Sequence, residues 1–279
     1  MTAPTASLPR LLLVGLDGLR MDRAFGTALA PTLDRLLADG HLIRSEVEGP
    51  TISGPSWATI LTGARTEEHG ITDNFMRGHR LADHPDFLTR AAANDPTVTT
   101  YAAAGWPNLT DPAGPGPIIR LRQDDITDGR HHVVSLNGEL YGYRAIDPEI
   151  AARARLALRH AGPDLSFVYF CEIDDAGHYF GVDSDEYAAA ITHSDHHLST
   201  LLDVVDARVR EFGETWIVAV TTDHGHIDAG GHGGDSPEER QTFLVTAARG
   251  TDLPASLPTR LQPAEFVTWL TGVRRELGG

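Results

Sequence analysis

Short apolar runs, each followed by polar residues, constrain the fold of this chain most strongly. The runs are near-continuous rather than alternating, which is typical of strands buried on both faces of a sheet. Helical patterns such as APTLDRLLADG and EIAARARLALRHAG lie between them, and each ends in glycine. This alternation predicts an α/β fold with a mostly parallel sheet and helices on both faces. The apolar runs cover residues 11–16, 166–173, 216–222 and 242–247.

The length of the chain bounds its organisation. A chain of 279 residues can bury one substantial core, so we interpret residues 1–279 as a single domain. Residues 106–148 are rich in Pro, Gly and Asp and have weak periodicity, which predicts a loop-rich insertion over the site.

Residues 186–212 carry apolar side chains at helical spacing, which predicts one long helix with a face on the sheet. Three histidines lie in this stretch, and two of them are adjacent and so point in different directions on a helix. We interpret all three as solvated surface residues rather than metal ligands. They are His193, His196 and His197.

Charge limits the partners of the chain. The sequence has 23 Lys and Arg residues against 39 Asp and Glu residues, a formal net charge of -16. Such a charge repels nucleic acid and anionic lipid, so we expect neither a nucleic acid polymer nor a membrane as partner. A small phosphorylated substrate remains compatible if divalent ions reverse the local potential.

Cysteine usage and the chain start favour a cytoplasmic protein. The single cysteine, Cys171, excludes an intramolecular disulfide and is interpreted as a small buried apolar residue. Residues 1–10 lack the charged and apolar regions of a signal peptide, and no apolar run reaches membrane-spanning length.

Acidic and imidazole side chains follow several of the predicted strands. In an open α/β sheet, functional groups gather at the carboxyl ends of the strands. Each residue alone could be a helix cap or a loop residue. Together, carboxylates and imidazoles that converge without Lys or Arg require a cation, and their mixed oxygen and nitrogen atoms favour zinc, with manganese or iron as alternatives. Six ligands suit a metal pair. They are Asp17, Asp174, His178, Asp223, His224 and His232.

The segment PTISGPSWATILTG supplies a nucleophile. Pro55 is favoured in the first turn of a helix, so Ser53 lies at a helix N-terminus, where backbone N–H groups favour an anion. Ser53 could be only a helix cap. Beside a metal pair, the same position would lower the hydroxyl pKa and produce an alkoxide nucleophile.

The ordered motifs resemble the alkaline phosphatase superfamily, and most closely its nucleotide pyrophosphatase/phosphodiesterase branch. They include LLLVGLDGLRMD, PTISGPSWATILTG, EEHGITDN, DDAGHYFG, TTDHGH and GGHGG. The resemblance covers about residues 11–234 and leaves the insertion unmatched. It implies an alkaline-phosphatase-like three-layer sandwich. It also implies a hydrolase of phosphate diester or pyrophosphate bonds, including those of nucleotides, with two divalent metal ions that are zinc or alternatively manganese.

The resemblance also assigns residues. Asp17, Asp223 and His224 correspond to the ligands of one metal ion, which also binds the nucleophile Ser53. Asn74 corresponds to the asparagine that donates a hydrogen bond to a nonbridging phosphate oxygen, although a turn asparagine is an alternative. The ligands of the other ion are Asp174, His178 and His232.

This chain departs from its relatives beside the nucleophile. Relatives that hydrolyse nucleotides have an aromatic residue there to stack on the base, whereas this chain has Gly54. Stacking would then need Trp57 or a residue of the insertion such as Tyr141 or Tyr143.

The remaining alternatives differ in the cations around the phosphate. No arginine is adjacent to the nucleophile motif, which favours diesters over a phosphomonoesterase reaction, unless Arg65, Arg130 or Arg240 points inward. SGPS resembles a sulfatase motif but ends in Trp57 rather than Arg, and sulfatases use oxygen-rich calcium sites. A non-catalytic metal-binding protein would lack a ligand or the nucleophile, and no such loss is visible.

Overall fold

A seven-stranded sheet crosses the centre of the part of the chain that the computed structural model describes, residues 8–279. Its strands are β1 (Arg10–Leu16), β2 (His41–Glu46), β3 (Thr100–Ala104), β4 (His131–Ser135), β5 (Leu165–Phe170), β6 (Trp216–Thr222) and β7 (Gln241–Arg249). Across the sheet the order is β2-β7-β6-β1-β5-β3-β4. Pairing is parallel from β6 through β1, β5 and β3 to β4, whereas β7 is antiparallel to β6 and β2.

Helices cover both faces of this sheet. They are α1 (Met21–Ala24), α2 (Pro31–Ala38), α3 (Ser53–Thr62), α4 (Thr66–His69), α5 (Phe87–Asn94), α6 (Pro107–Thr110), α7 (Gln123–Thr127), α8 (Gly138–Tyr141), α9 (Tyr143–His160), α10 (Glu172–Phe180), α11 (Asp185–Phe212), α12 (Pro237–Arg240) and α13 (Phe266–Leu277), with a 3₁₀ turn at Pro263–Glu265.

Two apolar cores result from the alternation of side chains along the strands. In β1, Leu12 and Val14 face the core formed with α2, α9 and α11, whereas Leu11 and Leu13 face the core formed with α3, α5 and α13. This arrangement confirms the predicted α/β fold with a mostly parallel sheet between helical layers. Among the helices of residues 8–279, none combines the length and the apolar character that a membrane span requires. Residues 1–7, on which the signal-peptide expectation partly depends, lie outside the described residues.

The boundary predicted for one strand was wrong. The apolar run at 166–173 contains most of β5, which ends at Phe170, and the first residues of α10, which begins at Glu172. A short apolar run does not distinguish a buried strand from a buried helical turn. The run at 242–247 forms most of β7, which is antiparallel to its neighbours.

Residues 106–148, predicted as a loop-rich insertion, contain the short helices α6, α7 and α8, the edge strand β4 and the start of α9. Pro148 lies inside α9.

The long helix predicted over 186–212 is confirmed as α11. The surface prediction was wrong for His197, which is only 8% exposed, because it lies on the sheet side of α11 with its ring 5.3 Å from that of Phe170. His196 is exposed, and His193 Nδ1 lies 2.9 Å from Glu172 Oε1. None of the three belongs to a group of potential metal ligands among the described residues.

A buried carboxyl group, that of Asp147 in α9, fixes the start of α10. Its Oδ2 accepts hydrogen bonds from the backbone N–H groups of Cys171 and Glu172, both at 2.8 Å. These are N–H groups that a helix start leaves without intrahelical partners. Its Oδ1 is buried and has no hydrogen-bond partner in the part of the chain that is described. Burial raises the pKa of Asp147 to about 8, although the two backbone hydrogen bonds act to lower it.

Asp147 should therefore make folding pH-dependent. The unfolded carboxyl ionises near about pH 4, whereas the folded one keeps its proton until about pH 8, so the native state holds more protons in between and loses stability as pH rises. Asp147→Asn keeps an acceptor but cannot ionise. The free energy of unfolding of metal-free protein can be measured in urea for wild type and for Asp147→Asn. The wild-type value minus the variant value should fall from about pH 5 to about pH 8. A difference that is constant across this range would contradict the prediction.

Candidate metal centre

The predicted site residues converge because three neighbouring strands are parallel. β5 and β6 flank β1, so the carboxyl ends of all three lie at one edge of the sheet. Asp17 follows β1, Asp223 and His224 follow β6, and α10 after β5 carries Asp174 and His178. The remaining member of the predicted set, His232, lies in the loop before α12.

The first ligand group consists of Asp17, Asp223 and His224, all fully buried. His224 Nε2 lies 3.6 Å from Asp17 Oδ1 and 3.2 Å from Asp223 Oδ2. Its other ring nitrogen, Nδ1, lies 3.0 Å from the carbonyl of Gly225, to which it donates when Nε2 carries the free lone pair. Ser53 Oγ approaches the same atoms, at 3.2 Å from His224 Nε2 and 3.5 Å from Asp17 Oδ1.

The second ligand group consists of Asp174, His178 and His232. Asp174 Oδ2 lies 3.5 Å from His178 Nε2, and Asp174 Oδ1 lies 3.5 Å from His232 Nε2. His232 Nδ1 lies 2.6 Å from the carbonyl of Thr51, which orients Nε2 toward the group. The Nε2 atoms of His178 and His232 are 2.9 Å apart, a separation that requires a shared proton or cation between two lone pairs.

Burial shifts the pKa values of the first ligand group. It raises the pKa of Asp17 to about 7 and that of Asp223 well above its usual range, and the nearby Asp174 carboxylate adds to the shift of both. Burial also lowers the pKa of His224, with a further contribution from His232. Asp223 Oδ2, although buried, has no hydrogen-bond partner among residues 8–279. Neutral imidazoles and crowded carboxylates with an unsatisfied oxygen fit a divalent cation.

Two aromatic side chains orient Asp17. Trp57 Nε1–H and the Tyr169 hydroxyl donate to its Oδ2 at 2.8 and 2.6 Å, which leaves Oδ1 facing Ser53. Such support fixes a ligand carboxylate before any ion binds. Trp57 is fully buried, so the suggestion that it stacks on a substrate was wrong. Tyr143 is buried as well, whereas Tyr141 is 68% exposed.

The structure does not use Ser53 as a helix cap. Ser53 is the first residue of α3, Ile52 occupies the cap position, and no side chain caps this end. The N–H of Ser56 donates to the carbonyl of Ile52, and Pro55 has no N–H. Fewer N–H groups are thus available to an anion than the helix N-terminus alone suggested.

Asn74 lies beside the nucleophile and explains the glycine that follows it. Asn74 Oδ1 accepts the N–H of Gly54 at 2.8 Å, which leaves its amide nitrogen available as a donor. Asn108 holds this segment by donating to the Asn74 carbonyl at 2.7 Å. A Cβ at Gly54 would lie 2.8 Å from the carbonyl oxygen of Asp73 and 2.9 Å from Asn74 Oδ1. An aromatic side chain therefore has no room at position 54.

The arginines that could have reached the phosphate are engaged elsewhere. Arg130 pairs with Asp125 and Asp128, and Arg240 pairs with Asp235. Arg65 is more than half exposed and lies 3.9 Å from Glu48. Arg65 lines a cavity of about 300 Å³ beside α3, and Asp223 and Ser56 are also part of the wall of this cavity. Within residues 8–279, no arginine donates a hydrogen bond to Ser53 or to either ligand group.

Sequence reasoning missed one residue of the site, His226. Its Nε2 lies 2.9 Å from Asp174 Oδ1, and its ring is fully buried. Although burial acts to raise the pKa of Asp174, the hydrogen bond from His226 and the nearby His224 hold it below its usual range. The signal was present in the motif TTDHGH, where His226 is the final residue.

Exposed aromatic side chains adjacent in sequence to site residues were also missed. Phe75 follows Asn74, and Tyr179 and Phe180 follow His178. Their exposed fractions are 69%, 74% and 58%. Their rings are therefore open to solvent next to site residues in the sequence.

Comparisons with known proteins agree with this geometry. Residues 11–236 match the family model of type I phosphodiesterase / nucleotide pyrophosphatase. The chain is 21% identical to the catalytic subunit of GPI ethanolamine phosphate transferase 2 from Homo sapiens, over 88% of this chain and 24% of that protein. It is 27% identical to the bis(5'-adenosyl)-triphosphatase ENPP4 from Bos taurus, over 79% of this chain and 48% of that protein. The chain thus spans about a quarter to a half of the length of these relatives.

Solved structures share the fold. Murine ectonucleotide pyrophosphatase / phosphodiesterase 5, an inactive form in complex with AMP, superposes with a TM-score of 0.66 at 16% identity, over 96% of this chain and 95% of that one. Sulfatases are also among the structures with this fold. Because the family model matches most of the chain, the chain belongs to the type I phosphodiesterase / nucleotide pyrophosphatase family of the alkaline phosphatase superfamily.

Proposed function

We propose that this chain is a metal-dependent hydrolase of phosphate diester or pyrophosphate bonds that uses Ser53 as its nucleophile. The observation that carries the proposal is the position of Ser53 Oγ, 3.2 Å from His224 Nε2 and 3.5 Å from Asp17 Oδ1. A hydroxyl within reach of a metal-ligand group is the arrangement that activates a serine for attack on phosphorus.

Each ligand group would hold one divalent ion, zinc or alternatively manganese. When bound, the ions would lower the pKa of the Ser53 hydroxyl and neutralise charge on the phosphate oxygens. Ser53 Oγ loses its proton to solvent and forms a bond to phosphorus as the in-line bond from phosphorus to the leaving oxygen breaks. The leaving group takes up a proton from solvent, and water later cleaves the bond between phosphorus and Ser53 Oγ. Asn74 Nδ2 donates to a nonbridging oxygen, because its Oδ1 already accepts from Gly54.

The placement of arginines supports diesters over monoesters. A dianionic monoester is best held by a guanidinium fork, and Arg130 and Arg240 are paired with carboxylates away from Ser53. A diester carries one charge fewer and an organic group on each side. The exposed rings of Phe75 and Tyr179 are available for such groups. A phosphomonoesterase is the alternative on the same ligand groups.

Two further alternatives use the same fold. Because several relatives bear the name of a phosphate transferase, the phosphoserine could also pass its group to an alcohol instead of water. The sulfatase alternative is disfavoured by the donor set, since three imidazoles suit zinc better than calcium. Trp57 also stands where the sulfatase motif has Arg, and it is buried against Asp17.

Metal removal should abolish activity, because the Ser53 hydroxyl has no other strong activator in this proposal. A chelator should inactivate the protein, and zinc or manganese should restore activity. Asp223→Ala and His178→Ala should each lower the amount of metal bound per chain, measured by inductively coupled plasma mass spectrometry. The control is His196→Ala, because His196 is exposed on α11 and belongs to neither ligand group. Full activity in metal-free protein would contradict the proposed centre.

Ser53→Ala should lower kcat by at least about 10³-fold while KM and bound metal change little, because the lost interaction is covalent attack. Ser56→Ala is the matched control, since Ser56 lies in the first turn of the same helix and its hydroxyl donates to the carbonyl of Pro50, at 3.4 Å, rather than approaching a ligand group. Mass spectrometry of wild type trapped during turnover should find the adduct on the Ser53 peptide. Near-wild-type turnover by Ser53→Ala would refute covalent catalysis, and formylglycine at position 53 would favour a sulfatase.

Diesters should be the better substrates. We expect kcat/KM for bis(4-nitrophenyl) phosphate to exceed that for 4-nitrophenyl phosphate by at least about tenfold, since no guanidinium grips the second charge of the monoester. Arg65→Ala should leave this ratio unchanged, because Arg65, although it lines the cavity beside α3, is more than half exposed and donates no hydrogen bond to Ser53 or to a ligand group within residues 8–279. A reversed ratio would support the phosphomonoesterase, and a product in which the transferred phosphoryl group is esterified to added ethanolamine would support the transferase.

A further inference from the structure

We infer that His226 is a positioning residue for the second ligand group, in which it orients Asp174 and holds the loop that carries His232. His226 does not belong to either assigned ligand group, and it is fully buried with its ring centroid 5.9 Å from that of His224 and 5.2 Å from that of His232. The inference rests on the metal centre of the proposed function and adds a residue that directs its geometry.

Hydrogen bonding fixes the tautomer of His226. The backbone N–H of Gly231 donates to His226 Nδ1 at 3.1 Å, so Nδ1 is an acceptor and carries no proton. In the neutral imidazole the proton then lies on Nε2, which is 2.9 Å from Asp174 Oδ1 and donates to it. Asp174 Oδ2 stays directed at His178, 3.5 Å away. His226 thus selects which carboxylate oxygen of Asp174 remains free.

The backbone at two glycines packs closely against the ring of His226 and confines its orientation. A Cβ at Gly18 would lie 2.6 Å from its Nε2, and a Cβ at Gly177 would lie 2.8 Å from its Cε1. Both glycines therefore let the backbone approach the ring closely. Tyr187 adds an edge contact, with ring centroids 6.2 Å apart. A ring packed in this way stays aligned with Asp174 before any ion binds.

The same imidazole holds a tight loop. The N–H of Ile227 donates to the carbonyl of Gly231 at 3.1 Å, and the N–H of Gly230 donates to the carbonyl of Ile227 at 2.9 Å. The bond from Gly231 to His226 Nδ1 closes this loop, and His232 is the next residue. One side chain therefore connects α10, which carries Asp174, to the segment that carries His232.

A direct ligand role is the competing interpretation. Asp174, His224 and His226 also form a group whose potential ligand atoms lie within 4.8 Å of one another. A proton on Nε2 directed at Asp174 leaves that nitrogen without a lone pair for an ion. Residues that hydrogen-bond to a metal ligand do not bind the metal themselves, and their loss typically weakens metal affinity by about 10–100-fold.

Two substitutions distinguish the interpretations through zinc affinity, measured by competition with a chromophoric chelator. His226→Phe keeps a ring but removes both hydrogen bonds, and it should weaken the binding of one of the two zinc ions by about 10–100-fold. His226→Gln keeps a donor and an acceptor on one planar amide, so it should bind that ion within about threefold of wild type. His178→Ala serves as the reference for loss of a direct ligand.

Each outcome is decisive. Equal losses in His226→Gln and His226→Phe would show a direct ligand and overturn the inference, because an amide is a poor replacement for an imidazole on zinc. Unchanged affinity in a folded His226→Phe would also overturn it. Wild type that binds no zinc would overturn the proposed centre itself. A readout without substitution is nitrogen NMR of the metal-free protein, where His226 should carry its proton on Nε2; a proton on Nδ1 would contradict the inference.

Discussion

Three buried carboxylates repel one another, and the rest of this structure has to offset that repulsion with hydrogen-bond donors and cations. Asp17, Asp174 and Asp223 lie just beyond three adjacent parallel strands, and burial together with their neighbours raises the pKa values of Asp17 and Asp223. Hydrogen bonds offset part of this cost, since Trp57 and Tyr169 donate to Asp17. Divalent cations would offset the remainder, so metal affinity and folding are coupled in this centre.

Much of the fold and the ligand set could be predicted because both follow from one regularity. Near-continuous apolar runs mark buried parallel strands, and such strands bring the residues after them to one edge of the sheet. Asp17 and Asp223 could therefore be grouped without knowledge of strand order. His232 was grouped with them from its glycine-flanked motif a little beyond the same apolar run, and it reaches the site through a loop anchored at the Thr51 carbonyl.

Features that depend on partners remote in sequence could not be predicted. The start of α10 is set by Asp147, whose carboxylate reaches Cys171 and Glu172 from another helix. The edge strands β2 and β4 are only partly buried and lack the apolar signature of the central strands. Trp57 is close to the nucleophile in sequence, which suggested that it stacks on a substrate. The Trp57 ring instead packs into the core, because Gly15 has no side chain to occupy that space.

The helix α10 shows how this scaffold directs chemistry from outside the ligand groups. Asp147 holds its first N–H groups, and His226 holds the Asp174 carboxylate on its inner face, so the helix is fixed at two points. His178, in contrast, is exposed and is followed by the exposed ring of Tyr179. The first half of α10 is therefore anchored by buried hydrogen bonds, whereas its last residues, beginning with the ligand His178, are exposed. Under the proposed function, changes at Tyr179, Phe180 and Phe75 would alter contacts with a substrate and leave the metal ligands in place.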